Sequence, residues 1–175
     1  MPACGFDYLT ARSVGFDHFA RAGTDPLAIA AANGKLRRNF QGFTDYSSSV
    51  LIRLGASAIS SFPKLLAQTE KNNGRYRMLL SQDRLPVAHG IRRSADDCYH
   101  GAVIEGLLCD GEARLGARLM GEPRAALQPF IARGLATVDD EWLRTKPDGL
   151  PYSRSIAALF DPYRQDSQRR FSSAV

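Results

Sequence analysis

The stretch Leu36-Arg37-Arg38-Asn39-Phe40-Gln41-Gly42-Phe43-Thr44, with the apolar run that follows it from Val50 through Ile59, decides how the first third of this chain is read. Upstream, Val14 to Ala20 is a short strand-like run that carries Asp17 and His18. Thr24-Asp25-Pro26 then reads as a helix start, because Asp25 can cap free amides and Pro26 suits the first helical position. The helix runs through Leu27, Ile29 and Ala30 and stops at Gly34, whose missing beta carbon fits a left-handed cap. Strand, helix, strand with near-continuous apolar strands predicts a parallel sheet covered by helices. Two such strands leave both edges unpaired and cannot close a barrel, so this region reads as a piece of an α/β structure.

Downstream, Lys64 to Leu85 carries Tyr76, Leu79 and Leu80 at helical spacing and predicts a surface helix ended by Pro86. After an extended stretch, Val87 to Ile91, the hydroxyl of Ser94 and the early carboxylates Asp96 and Asp97 mark a helix start. Val103, Ile104, Leu107 and Leu108 would give that helix one buried face. Pro123 opens another helix, with Leu127, Phe130 and Ile131 as its stripe and Gly134 as its stop. Leu135–Val138 and Trp142–Arg144 read as a hairpin across Asp139-Asp140. A last helix carries Ile156, Leu159, Phe160 and Tyr163 on one side, kinked at Pro162. Two domains are expected, 1–85 and 86–175, the second mainly α and winged-helix-like.

Length and composition agree with a packed globular chain: 175 residues, 44% hydrophobic and 23% charged. No apolar run approaches the roughly 20 residues that span a bilayer, so no membrane partner and a cytoplasmic address are expected. The cysteines, Cys4, Cys98 and Cys109, are odd in number and widely spread. They fit neither a disulfide framework nor a tight metal-ligand spacing and read as reduced thiols. A formal charge of +5 suits an anionic partner, through Coulomb attraction.

Several stretches, in order and at similar separations, resemble the oxygen-independent coproporphyrinogen III oxidases. They are Gly15-Phe16-Asp17-His18-Phe19-Ala20, Leu36 to Thr44, Leu54-Gly55-Ala56-Ser57-Ala58-Ile59-Ser60, Asp96-Asp97-Cys98 with Val103-Ile104 and Leu107-Leu108-Cys109, and Arg154-Ser155-Ile156 with Phe160-Asp161-Pro162-Tyr163. The resemblance covers nearly the whole chain and implies the carboxyl-terminal part of such an enzyme: the last strands and helices of a partial TIM-like radical S-adenosylmethionine barrel, then the family's carboxyl-terminal domain. In that family a Cys-x3-Cys-x2-Cys motif in the amino-terminal barrel half holds a [4Fe-4S] cluster. The cluster splits S-adenosylmethionine to a radical that drives decarboxylation of propionate side chains of the porphyrinogen substrate, coproporphyrinogen III, giving protoporphyrinogen IX. Thiolates suit that cluster because they stabilise its core and tune its potential. This chain has no such triplet, so on this reading it is inactive without the missing barrel half.

The resemblance implies that Gln41 and Ile59 contact S-adenosylmethionine. An amide can donate and accept at a polar edge, and an isoleucine offers apolar contact. Both would sit at or just beyond the carboxyl ends of strands, where barrels present their reactive face. The chain departs from the family in the extra residues about Leu9 to Ser13, in Arg53 where a glycine is usual, and in His100-Gly101 where two basic residues are usual. Asp161 and Tyr163 read as structural. Two other functions compete. A nucleic-acid-binding module would need a dense basic face, and Arg124 with Arg133, or Arg154 with Arg164, do not supply one. A non-catalytic porphyrin or haem binder would use His18, His89 or His100 as axial ligands.

Overall fold

The computed structural model describes residues 11–117, 119, 121 and 123–164; Cys4 and the terminal Arg169 and Arg170 lie outside them. β1 (Ala11–Val14) and β2 (His18–Arg21) form one hairpin, and β3 (Arg37–Asn39) and β4 (Gly42–Thr44) another, with α1 (Pro26–Ala32) between them in the chain. β5 (Ile59–Phe62), β6 (Leu65–Thr69) and β7 (Val87–Arg92) make a sheet in that order, α2 (Asn73–Ser81) falling between the last two. α3 (Ala95–Cys109), β8 (Glu112–Arg114), α4 (Pro123–Ala132), β9 (Ala136–Asp139) and β10 (Trp142–Thr145) follow, and the second three-stranded sheet has the order β8-β10-β9. The described chain closes with a 3-10 segment, Pro147–Tyr152, then α5 (Ser153–Ala157) and a 3-10 turn, Ala158–Phe160. The fold is mixed α/β with open sheets.

All strand pairings among the described residues are antiparallel, which corrects the expected parallel sheet. The connections explain it. Three residues join β1 to β2, and two join β3 to β4, β5 to β6 and β9 to β10. A chain that turns back so soon can only pair antiparallel, whereas a parallel neighbour needs a crossover of roughly a dozen residues.

The run from Val50 is not a buried strand either. Only Leu51 bridges to Ser61, and Ile52 and Leu54 are 68% and 88% exposed. Gly55 at φ +115° and Ser57 at φ +60° break extended geometry, and polar side chains hold the loop instead. Thr69 Oγ1 accepts from the Ala58 amide at 2.9 Å and donates to the Gly55 carbonyl at 2.6 Å. The Arg53 amide donates to Ser60 Oγ at 3.1 Å.

The helix expected over Lys64 to Leu85 is also shorter, since residues 65–69 pair between β5 and β7 and the helix starts only after Asn72, whose side chain accepts from the Arg75 amide at 3.0 Å. The final helix stops at Ala157, and Tyr163 is exposed rather than on a buried face. Pro162 forces the residue before it out of helical geometry, as Asp161 shows at φ −93°, ψ 103°.

Local signals held where caps and turns carried them. Asp25 Oδ1 accepts from the Leu27 amide at 2.8 Å, and α1 is followed by Gly34 at φ +62°. Ser94 and Asp97 cap α3 reciprocally: the Ser94 amide donates to Asp97 Oδ2 at 2.8 Å and the Asp97 amide to Ser94 Oγ at 3.1 Å.

Two compact units result, one made of the chain up to Asp45 and from His100 onward, the other of Tyr46–Tyr99. The boundary expected between 85 and 86 falls inside the second unit, because β7 is hydrogen-bonded to β6. In the first unit Val14, Ala20, Ala30, Leu36 and Cys109 form a buried cluster, with Leu27, Ala31 and Phe43 packed against it. Leu107, Leu115, Leu127, Leu143, Ile156 and Phe160 are also buried there.

Candidate functional site

The two hairpins of the first unit meet at Phe43. Register pairs Arg38 with Phe43 across β3 and β4, and the Arg38 guanidinium lies 5.1 Å from the Phe43 ring centre and 5.3 Å from that of Phe16. Phe16 and His18 present edges to Phe43 at 5.6 and 5.2 Å, and Arg154 sits 5.7 Å from the Phe16 ring centre. Guanidinium over an aromatic face is attractive by about 0.5–1 kcal/mol at exposed sites, more where water is excluded. His18 Nδ1 lies 2.9 Å from Asp17 Oδ1. With Nδ1–H donating, the carboxylate orients the ring and leaves Nε2 as a proton acceptor. Sequence reasoning singled out Asp17 and His18 but missed Phe16, Arg38, Phe43 and Arg154 as their surroundings.

Gln41 occupies the tip of the β3–β4 hairpin, exposed, just beyond the carboxyl end of β3. Its amide donates to Asn39 Oδ1 at 2.8 Å, so the Asn-Phe-Gln-Gly turn is closed by its own first side chain. Ile59 belongs to the second unit and is half-buried. It opens β5 rather than closing a strand, which corrects the expectation that it stands at a carboxyl end. Its Cα partner is Gln68, whose partner on β7 is His89, so the three share one face of that sheet.

The three histidines do not gather as ligands. His18 is on β2, His89 on exposed β7, and His100 on α3 bonds through Nδ1 to the Phe160 carbonyl at 2.7 Å. Where relatives are expected to carry a basic pair, His100 thus ties α3 to the last 3-10 turn.

An iron–sulfur cluster does not fit the described residues. Cys98 and Cys109 are free thiols eleven positions apart on α3. The Cys98 thiol contacts the Pro63 carbonyl at 3.6 Å, and burial, with smaller contributions from Glu105 and Asp110, pushes the Cys109 thiol up to about 12. A buried, protonated thiol is a poor ligand, since metals bind thiolate. Burial likewise raises the Asp110 carboxyl, partly offset by Arg37. Among the described residues no group of three or more His, Cys, Asp or Glu is placed to hold a metal ion, and no helix is long and apolar enough to cross a membrane.

No protein-family model matches the chain. Known proteins do. The chain is 36% identical over 171 residues to the oxygen-independent coproporphyrinogen III oxidase of Bradyrhizobium diazoefficiens, covering 93% of this chain and 38% of that protein. It is 39% identical over 158 residues to the Paracoccus denitrificans protein of the same name, covering 86% and 35%. A solved structure, coproporphyrinogen III oxidase from Escherichia coli, described as a radical SAM enzyme, superposes with a TM-score of 0.80 at 32% identity, covering 88% of this chain and 38% of that one. The chain is therefore related, in sequence and in fold, to a class of enzymes. In particular it is homologous to a partial, carboxyl-terminal region of the oxygen-independent coproporphyrinogen III oxidases. It spans a little over a third of the length of these relatives.

Proposed function

We propose that this chain is the supporting, carboxyl-terminal portion of an oxygen-independent coproporphyrinogen III oxidase, working with a cluster-bearing barrel half outside these 175 residues. One observation carries the reading: at 32% identity and a TM-score of 0.80, 88% of the chain follows a protein described as a radical SAM enzyme, while the thiols of its described residues, Cys98 and Cys109, are placed for no cluster. On this reading residues up to about 85 complete the barrel and the rest form the family's end domain. The order α3, β8, α4, β9, β10 with β10 central supports a winged-helix-like reading of that end.

Gln41 would hold a polar edge of S-adenosylmethionine from the hairpin tip, and Ile59 would offer it an apolar contact. When bound, that cofactor supplies the radical chemistry. The chain's own residues position it and exclude water. The porphyrinogen is the substrate, and a reducing cytoplasm suits the free thiols. The nucleic-acid reading gains little, because the exposed positions of α4 are Arg124, Ala125, Ala126, Gln128, Pro129 and Ala132, with Arg133 just after it, and two arginines make no dense basic face.

The test combines the purified chain with the amino-terminal portion of the Paracoccus relative, under anaerobic reducing conditions with S-adenosylmethionine and coproporphyrinogen III. Decarboxylation is expected only in the mixture, with Gln41→Ala weakening cofactor binding on the order of tenfold, the scale of one lost hydrogen bond to a charged ligand. An inactive mixture beside an active full-length Paracoccus enzyme would overturn the reading.

A further inference from the structure

Gln41 stands at the tip of a hairpin that has little hold on itself. β3 and β4 form a two-stranded sheet of three residue pairs, Arg37 with Thr44, Arg38 with Phe43 and Asn39 with Gly42. A ribbon of that size is marginal in water, so the place of its tip is set by what grips it from outside.

Arg38 is where it is gripped. Hydrogen-bonded and non-bonded pairs alternate along an antiparallel ladder, and the Arg38 amide is directed away from β4. It donates to Glu105 Oε1 at 3.2 Å, across 67 positions of sequence. Glu105 lies on α3, in the same compact unit as the hairpin. The outward amide of an edge strand has no ladder partner, and a carboxylate is the strongest acceptor a side chain can offer it. The Arg38 side chain adds a second hold. Side chains of a non-bonded pair stand closer together, and the guanidinium lies 5.1 Å from the Phe43 ring centre and 5.3 Å from that of Phe16 in the β1–β2 turn.

Position then passes along the hairpin to its tip. Arg38 precedes Asn39, and Asn39 Oδ1 accepts from the Gln41 amide at 2.8 Å, so the turn is tied to the strand that Glu105 holds. A polar group that meets a ligand from a short hairpin depends on such support, since a displacement of about 1 Å is enough to cost a large part of its effect.

We infer that Glu105 is a positioning residue: through the Arg38 amide it fixes the β3–β4 hairpin, and with it the place of Gln41. It acts through Gln41 and not on the ligand. The inference rests on the proposed contact between Gln41 and S-adenosylmethionine and names the residue on which that contact depends.

The test is a double-mutant cycle in the mixture of this chain with the amino-terminal portion of the Paracoccus relative. Glu105→Asp keeps the charge and withdraws the acceptor by one methylene, whereas Glu105→Gln keeps the reach and loses the charge. Circular dichroism and the exchange rate of the Arg38 amide are measured on each 175-residue variant alone. Faster exchange at Arg38 is expected in Glu105→Asp, with Glu105→Gln close to the unsubstituted chain. In the mixture, Glu105→Asp should raise KM for S-adenosylmethionine on the order of fivefold, leaving kcat and KM for coproporphyrinogen III within about twofold. Glu105→Gln should keep all three within about twofold. Joined to Gln41→Ala, Glu105→Asp should add less than about twofold to the loss from Gln41→Ala alone, because both changes remove one contact. Losses that multiply, a fall in kcat with KM unchanged, or equal damage from Asp and Gln overturns the inference. An active mixture whose KM for S-adenosylmethionine ignores Glu105→Asp sinks this inference alone. An unsubstituted mixture without activity sinks the enzyme reading, and this inference falls with it.

Discussion

Gly15 stands in the β1–β2 turn at φ +61°, and a beta carbon there would collide with the tip of the Phe43 ring at Cζ. Gly15→Ala therefore meets both a backbone penalty and an overpacked aromatic, together on the order of 2–4 kcal/mol. A fall of that size in urea-unfolding stability is expected, and a loss under about 0.5 kcal/mol, the size of an ordinary surface substitution, would contradict the packing at Phe43. Cys109 gives a pH prediction. Its thiol is pushed up to about 12 from an ordinary 9.0, so the folded chain keeps the proton that the unfolded chain releases first. Stability from this group is whole below about pH 9 and lost as pH climbs toward 12. Unfolding compared at about pH 8 and about pH 10.5 should show a decline that Cys109→Ala reduces, and an unchanged slope would rule the group out. The place of Gln41 just beyond a strand end was legible through the resemblance, while the tight hairpin that Asn39 and Gly42 make there was not read from the sequence. The meeting of Phe16, Arg38, Phe43 and Arg154 was not, since it depends on two hairpins and α5 packing together, and no spacing records that.

Elements were readable wherever a cap or turn fixed them locally, as Asp25 does for α1 and Ser94 with Asp97 for α3. The capping box is testable by Ser94→Ala, which should cost about 1 kcal/mol and shorten α3 at its start. Apolar runs misled, because an apolar stretch does not say whether it is buried. Val50 to Ile59 has strand-like composition, yet Gly55 and Ser57 adopt positive φ, and the segment is held by hydrogen bonds from Thr69 and Ser60 that come from the next strands. Replacing Thr69 with Val keeps shape and removes those bonds, leaving the Ala58 amide unsatisfied. A loss of about 2 kcal/mol is expected by chemical denaturation, with faster amide exchange across residues 55–58. Unchanged exchange there would show that the loop does not depend on Thr69. The parallel sheet failed for a related reason: the two-residue links at Phe40-Gln41 and Pro63-Lys64 determine strand direction more strongly than the order of elements does.

At the scale of the whole molecule, the relatives' name was legible in scattered motifs, while the division into units was not. The second unit buries few large side chains and leaves Ile52, Leu54, Leu85 and Ile91 more than half exposed, so its edges carry apolar surface beyond what its own sheet covers. The account as a whole turns on cysteine placement: a four-iron cluster is held by closely set thiolates, and this sequence spreads its cysteines apart while burial shields Cys109. Anaerobic reconstitution of the 175-residue chain with iron and sulfide, followed by desalting, iron analysis and low-temperature electron paramagnetic resonance of the reduced sample, addresses that directly. The account predicts little retained iron and no signal from a reduced four-iron cluster. A full complement of iron with such a signal, altered by added S-adenosylmethionine, would contradict it.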